Sequence, residues 1–441
     1  MASMKQKTAL DILKLGHSVF LTGPAGSGKT HVLKQYIEYL KKNNIGVAVT
    51  ASTGIAATHM NGQTIHSWSG MGISEVFDEA EYAKLKKRHY HKNRFAAASV
   101  LIIDEISMLH AYQLDIVNAI CKKFKNPFKP FGGLQVVLCG DFFQLPPVAK
   151  YGQQAQFVIE SDSWKEMDPK ICYLEEQHRQ EDKEMLKILS DIRSRSCDAK
   201  TMATILSREN KSIASKITPT RLYTHNVNVD AINKTELQKI KEEARVFEMT
   251  SNGNEFLVSS VKKGCLAPEI LFLKKGAVVM FVKNNFEQGY VNGTLGKVAG
   301  FNGSGMPIVE TVSGKTIVAT PEKWSIEENE KTLVSISQVP LRLAWAITVH
   351  KSQGMTLDAV EMDLSKSFEF GMGYVALSRV RTLGGIKLLG INYIALEVNP
   401  QVHEFDKALQ KLSQKSSAEV AKMGILKKRS AQKEFLERCE A

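Results

Sequence analysis

The chain has 441 residues, 43% of them hydrophobic, and a formal net charge of +12. That length calls for two or more domains, and the lack of any run of 18 apolar residues excludes a helical membrane span. The basic excess points to a polyanionic partner, nucleic acid first. Met1 to Lys7 offers no apolar signal core and no Arg-rich transit pattern, so the expected location is the cytoplasm or the nucleoid. Six cysteines without C-x-x-C spacing read as free thiols, and no His/Cys cluster has metal-ligand spacing.

The first apolar run, Ser18–Thr22, predicts a strand. Gly23-Pro24-Ala25-Gly26-Ser27-Gly28-Lys29-Thr30 follows, and then a helical pattern at Val32, Leu33, Tyr36, Ile37 and Leu40. Strand, glycine loop and helix in this order cradle phosphate: the glycines let backbone N–H groups point at phosphate oxygens, helped by the helix N-terminus. Lys29 would reach the β- and γ-phosphates and Thr30 would hold Mg²⁺. Further apolar runs at 45–50, 99–104, 134–139 and 170–174 alternate with helical patterns. That alternation predicts an α/β fold with a parallel sheet covered by helices on both faces. Between 70 and 95 acidic residues give way to a basic cluster, which predicts a small inserted element.

Leu101-Ile-Ile-Asp104-Glu105 is a buried strand ending in two carboxylates. After a phosphate loop this places Asp104 on Mg²⁺ and Glu105 beside the attacking water as general base. In Gly140-Asp141-Phe-Phe-Gln144-Leu-Pro146-Pro147, Gln144 is placed to sense the γ-phosphate through its amide. Hydrolysis also needs a cation on the γ-phosphate, and Arg179 and Arg379 are the two candidates. Both lie outside or at the exit of the first sheet, so ATP would bridge two α/β modules.

The second half starts with a helical run at 184–195, a strand at 220–225 and a helix from 227 to about 243. Short alternating segments separated by Gly and Asn over 271–338 predict a small barrel. The α/β pattern returns at 341–394, and the polar tail from Gln401, with Lys427-Lys428-Arg429, reads as a solvated helix. A motor that ignores sequence must hold phosphates and stack on bases. Thr53, Thr64, Thr348 and His350 offer donors, Thr224, His225 and Asn226 could mirror them, and Lys351 adds charge. His66 and Trp68 are candidate stacking groups.

Together these residues resemble those of superfamily 1B DNA helicases, most closely the Pif family (petite integration frequency), over Gln6 to Arg381. Gln6 resembles the family's adenine-reading glutamine. Thr50-Ala-Ser-Thr53-Gly54-Ile-Ala-Ala57 and Thr64-Ile-His66-Ser-Trp68 resemble its first DNA-contacting motifs. The segment from Asp115 to Gln135 resembles its signature, which separates it from RecD-like and Dda-like relatives. Gln338-Val-Pro-Leu341 and Trp345 to Gly354 resemble its fifth motif, and Arg379 its arginine finger. The resemblance implies two RecA-like doubly wound parallel-sheet domains: 1A over 1–180, with a wedge insert, 1B, at about 66–95, and 2A over 181–239 and 339–400. It further implies an SH3-like β-barrel insert, 2B, over 240–338, and leaves 401–441 as a helical tail. It implies an ATP- and Mg²⁺-dependent, monomeric motor moving 5′ to 3′ on single-stranded DNA about one nucleotide per ATP. Such a motor would unwind tailed duplexes, with G-quadruplexes and RNA–DNA hybrids as further substrates, in replication, repair, recombination or telomere maintenance. A RecD-like recombination subunit, a remodelling ATPase that does not unwind, and an RNA track remain open.

Overall fold

The structure, a computed structural model, describes residues 4–72, 78–87, 89–147, 155–176, 182–214, 217–224, 229–328 and 331–440. The first module is built on β1 (Val19–Thr22), β2 (Val47–Ala51), β3 (Gln63–Thr64), β4 (Val100–Asp104), β5 (Gln135–Cys139) and β6 (Lys170–Tyr173). The strands are parallel, in the order β3-β2-β4-β5-β1-β6. Alternation along each strand sends neighbouring side chains to opposite faces. Phe20, Leu101, Ile103, Val136 and Leu138 enter one apolar core. Val19, Leu21, Val100, Ile102 and Val137 enter the other, against the helices Gln6–Lys14 and Lys29–Lys42. Both faces are covered, which is why these strands read as continuous apolar runs. The carboxyl ends of β1, β4 and β5 share one sheet edge, the place where such folds bind ligands.

The break at 70–95 is helical where described: Glu79–Lys86 and His89–Ala97. It is tied to the first module through Phe95, whose ring lies 4.7 Å from that of Trp68 and 4.6 Å from that of Phe124.

After β7 (Thr220–Tyr223) the chain leaves the α/β pattern. It forms β8 (Arg245–Glu248), β9 (Thr250–Gly253), β10 (Ile270–Leu273), β11 (Val278–Phe281), β12 (Leu295–Phe301) and β13 (Pro307–Thr311). β14 (Thr316–Val318), β15 (Glu322–Glu328), β16 (Lys331–Gln338) and β17 (Leu341–Leu343) follow. These make antiparallel sheets in the orders β14-β13-β12-β11-β17, β15-β16-β9 and β10-β8. The β-rich stretch, which also holds the helix Glu255–Gly264, starts earlier and ends later than the 271–338 read from alternation, and its start lies within the 240–338 that the resemblance implies. Its first strands were hidden because β8 and β9 are largely exposed and lack an alternating pattern. The chain then returns through β18 (Ala346–Thr348), β19 (Val360–Leu364) and β20 (Ile386–Ile391), giving a second parallel sheet, β18-β7-β19-β20.

The tail departs from the solvated helix expected of it. The helix Pro400–Lys422 lies along β6, where the Tyr173 N–H donates to Ser413 Oγ at 2.9 Å and Lys170 pairs with Glu419 at 2.8 Å. It covers a strand edge that would otherwise be open. In the helix Ile425–Glu440, Phe435 is 2% exposed and packs on Gly16, where a Cβ would lie 2.4 Å from its ring. The apolar positions that do this are few and widely spaced, so the composition of the segment hid them.

Candidate active site

β1 runs into a loop that turns at Gly23 (φ 140°), Gly26 (φ 88°) and Gly28 (φ 87°), left-handed values that favour glycine. A Cβ on Gly23 would also stand 2.2 Å from the Leu174 carbonyl oxygen. The helix Lys29–Lys42 begins directly behind, so its unpaired N–H groups face the loop. Lys29 Nζ donates to the carbonyls of Gly23 at 2.8 Å and Pro24 at 3.0 Å, which holds the ammonium inside the cradle. Burial lowers its pKa, opposed chiefly by the Asp141 carboxylate. Ser27 Oγ is buried without a hydrogen-bond partner, and Thr30 is exposed at the helix start. Gln6 Nε2 donates to the Ser27 carbonyl at 3.3 Å, which ties the glutamine to the phosphate loop.

Asp104 ends β4, and its Oδ1 accepts the Glu105 N–H at 2.8 Å. Glu105 itself sits at φ 51°, an uncommon value for a side-chain-bearing residue. Burial, then the neighbouring Asp104 charge, push its carboxyl up to about 7, while Arg379 and Lys29 pull it down. Gln144, 6% exposed, leaves its Oε1 without a partner.

The opposite wall comes from the second module. Arg379 follows the buried helix Met372–Ser378, is 2% exposed, and donates through Nε to the Val375 carbonyl and through Nη2 to Ser378 Oγ. Burial lowers its pKa, and Glu105 is the largest opposing influence. Gln353 Nε2 reaches Glu105 Oε2 at 3.4 Å. Lys29, Thr30, Asp104, Glu105, Gln144, Gly354 and Arg379 line one cleft of about 550 Å³. Residues 210 to 350 positions apart in sequence, from Gln144 and Gly354 to Lys29 and Arg379, thus meet at one place. Arg179 lies outside the described residues.

Three of the expected strand-holding groups share one geometry. Thr53 Oγ1 accepts from the Ala56 N–H, Thr64 Oγ1 from the Ser67 N–H and Thr348 Oγ1 from the Lys351 N–H, at 3.2–3.3 Å. A hydroxyl that accepts still has its proton to donate. His350 is exposed, Lys351 half-buried, and both line the cleft. His66 is half-buried, with Nε2 3.1 Å from Gln113 Nε2.

Two expectations need correction. Trp68 is 1% exposed and packs on Phe95, so it is a core residue and not a stacking platform. Thr224 is 2% exposed and donates to the Asp363 carbonyl, which commits its proton within the fold. Gly54 also packs against the second half of the chain: a Cβ there would lie 2.8 Å from Gly264 Cα, where the helix Glu255–Gly264 docks. His225 and Asn226 lie outside the described residues. Sequence reasoning missed Gln353, which lies inside the run Trp345 to Gly354, because nothing in spacing alone showed which of its members face the cleft.

The family profile described as PIF1-like helicase matches residues 2–194, and that of the DNA helicase Pif1 2B domain matches residues 255–301. The chain is 45% identical to the ATP-dependent DNA helicase Pif1 of Psychrobacter sp. (strain PRwf-1), over 93% of its length and 71% of the relative's. It is 38% identical to the human ATP-dependent DNA helicase PIF1, over 93% of this chain and 64% of that one. A Bacteroides sp. Pif1 structure in complex with ADP-AlF4 is similar at 31% identity and a TM-score of 0.80, covering 92% of this chain and 96% of that one. A Bacteroides Pif1 structure with ADP-AlF3 and single-stranded DNA is similar at 30% identity and a TM-score of 0.60, covering 93% and 98%.

Proposed function

The chain belongs to the PIF1-like helicase family, and we propose that it is an ATP-hydrolysing helicase that translocates 5′ to 3′ on single-stranded DNA and opens tailed duplexes. The observation that carries this reading is the single cleft in which Lys29 and Glu105 of one module face Arg379 of the other. The matched Psychrobacter and human relatives are longer, which leaves the activity of the whole protein to experiment.

The phosphate loop and Lys29 hold the β- and γ-phosphates of ATP, and Gln6 approaches the base. The donors present fit Mg²⁺: the Thr30 hydroxyl and the Asp104 carboxylate are hard oxygen ligands on the cleft wall. The metal would supply charge neutralisation for the phosphates as the bond breaks. Glu105 takes a proton from the attacking water as the new O–P bond forms, and ADP leaves as the bond to the γ-phosphorus breaks. The unpartnered Gln144 amide oxygen, the acceptor end of that side chain, stands ready to orient the water. Arg379 offsets the charge that spreads over the transferring group, a role worth about 10³–10⁵ in rate.

Thr53 and Thr64 on the first module, and Thr348, His350 and Lys351 on the second, grip phosphates of the strand. Closing on ATP advances one set and opening after release advances the other, about one nucleotide per cycle as the family resemblance implies. The motor works as a monomer. G-quadruplexes and RNA–DNA hybrids are further tracks, and the setting is genome maintenance. Among the described residues no helix is long and apolar enough to cross a membrane.

Strand displacement on duplexes with a 5′ or a 3′ tail tests the reading. We expect displacement from the 5′-tailed duplex with ATP and none from the 3′-tailed one. ATP hydrolysis stimulated by the strand, but without displacement, would favour a remodelling ATPase. Displacement that appears only with a second protein would favour a recombination subunit.

A further inference from the structure

A buried polar cluster that the hydrolysis scheme does not use lies where the two modules meet. Asp141, 1% exposed, follows β5, and Arg193 ends the helix Lys183–Arg193. Arg193 Nη1 donates to both Asp141 oxygens, at 2.8 and 2.7 Å. Its Nη2 donates to the Tyr173 hydroxyl at 2.8 Å, and its guanidinium lies 4.1 Å over the Phe143 ring. Partners on both terminal nitrogens and a ring under its face leave the arginine little freedom.

Tyr374, 1% exposed, enters the cluster from the helix Met372–Ser378. Its hydroxyl accepts from Arg193 Nη1 at 3.1 Å and donates to Asp141 Oδ2 at 3.4 Å. It also accepts the backbone N–H of Ala25 at 3.3 Å, inside the phosphate loop. A phenol has one proton and two lone pairs, and here all three are used. Burial raises the phenol pKa, which keeps that proton in place.

We propose that Tyr374 is a positioning residue of the ATPase: its hydroxyl fixes the Ala25 corner of the phosphate loop from the second module, so the loop reaches its hydrolytic shape only when the modules are docked. This rests on the reading of the cleft as an ATPase site. The loop's remaining donors and Lys29 hold the phosphates in either case, so binding survives without the hydroxyl. Hydrolysis slows, because it needs the loop in register with Glu105 and Arg379, and small misplacements of reacting groups cost rate far more than affinity.

Tyr374→Phe keeps the packed ring and removes only the oxygen. We expect kcat of the strand-stimulated ATPase to fall about tenfold, with KM for ATP within about threefold and a melting midpoint within a few degrees of the parent. Arg193→Lys cannot bond Asp141 and Tyr173 from two nitrogens at once, and in the Tyr374→Phe background it should lower kcat by less than the product of the two single effects, as groups sharing one network do. An unchanged kcat in Tyr374→Phe overturns the proposal. So does a loss of kcat matched by a rise in KM and a large drop in melting midpoint, or strict additivity in the double variant. A parent chain that hydrolyses no ATP overturns the functional reading itself, whereas a parent whose hydrolysis ignores Tyr374→Phe overturns only this inference.

Discussion

The two walls of the cleft are built by opposite means. The phosphate-holding part of the first is backbone: glycine torsions, a helix N-terminus and one lysine, all within eight consecutive residues, Gly23 to Thr30. The second is side chain: Arg379 and Gln353, each placed by a helix or turn whose burial depends on the whole second module. Local chemistry can hold a triphosphate by itself. Cutting it requires groups that only tertiary packing brings into range.

The first way to break this contrast is Lys29→Ala, which should abolish ATP hydrolysis and strand displacement while strand binding stays measurable. Undiminished hydrolysis in that variant would remove the phosphate loop from the account. Trp68→Ala should cost about 3–5 kcal/mol of stability, as large-to-small changes in a packed core do. Strand affinity of the folded variant should stay close to the parent's, and a selective loss of affinity at unchanged stability would restore Trp68 as a stacking group.

His59 sharpens the comparison from the boundary between the walls. Its Nε2 lies 3.2 Å from Asn292 Nδ2, and a Cβ on Gly354 would stand 3.3 Å from its ring. Burial lowers its pKa from 6.5 to about 4. Between those values the unfolded chain binds the proton and the folded chain does not, so stability falls as pH drops through that window. At about pH 5 the loss attributable to His59 is about 2 kcal/mol, from about 1.4 kcal/mol per pH unit below its ordinary value. Thermal melts at stepped pH check this, and His59→Gln should flatten the slope. The smallest effect is on strand affinity, which should fall about tenfold between about 50 and 200 mM salt if several phosphates are held. A flat response in equilibrium binding would speak against a backbone grip.

What the sequence could show follows the same division. The fully buried strands β1, β4 and β5 were legible because parallel strands covered on both faces are apolar throughout. The phosphate loop and the carboxylate pair were legible because their chemistry is consecutive. β3, only two residues long, carries too little pattern to see. Thr53, Thr64 and Thr348 announced hydroxyls, but only the structure shows each accepting the N–H three residues on, in a helix cap or a turn, which leaves its proton to donate. Trp68 and Thr224 were misread for the converse reason: type and spacing say nothing about burial. The ion pair of Arg193 with Asp141 joins residues 52 apart, and no local signal points to it.

Arg379→Ala, measured for nucleotide affinity and turnover in the same preparation, tests the central claim most directly. A triphosphate held between the modules and cut by groups from both predicts near-normal nucleotide affinity with turnover lower by about 10³-fold or more. Turnover at the parental level would show that the second wall takes no part in cleavage and would contradict the account.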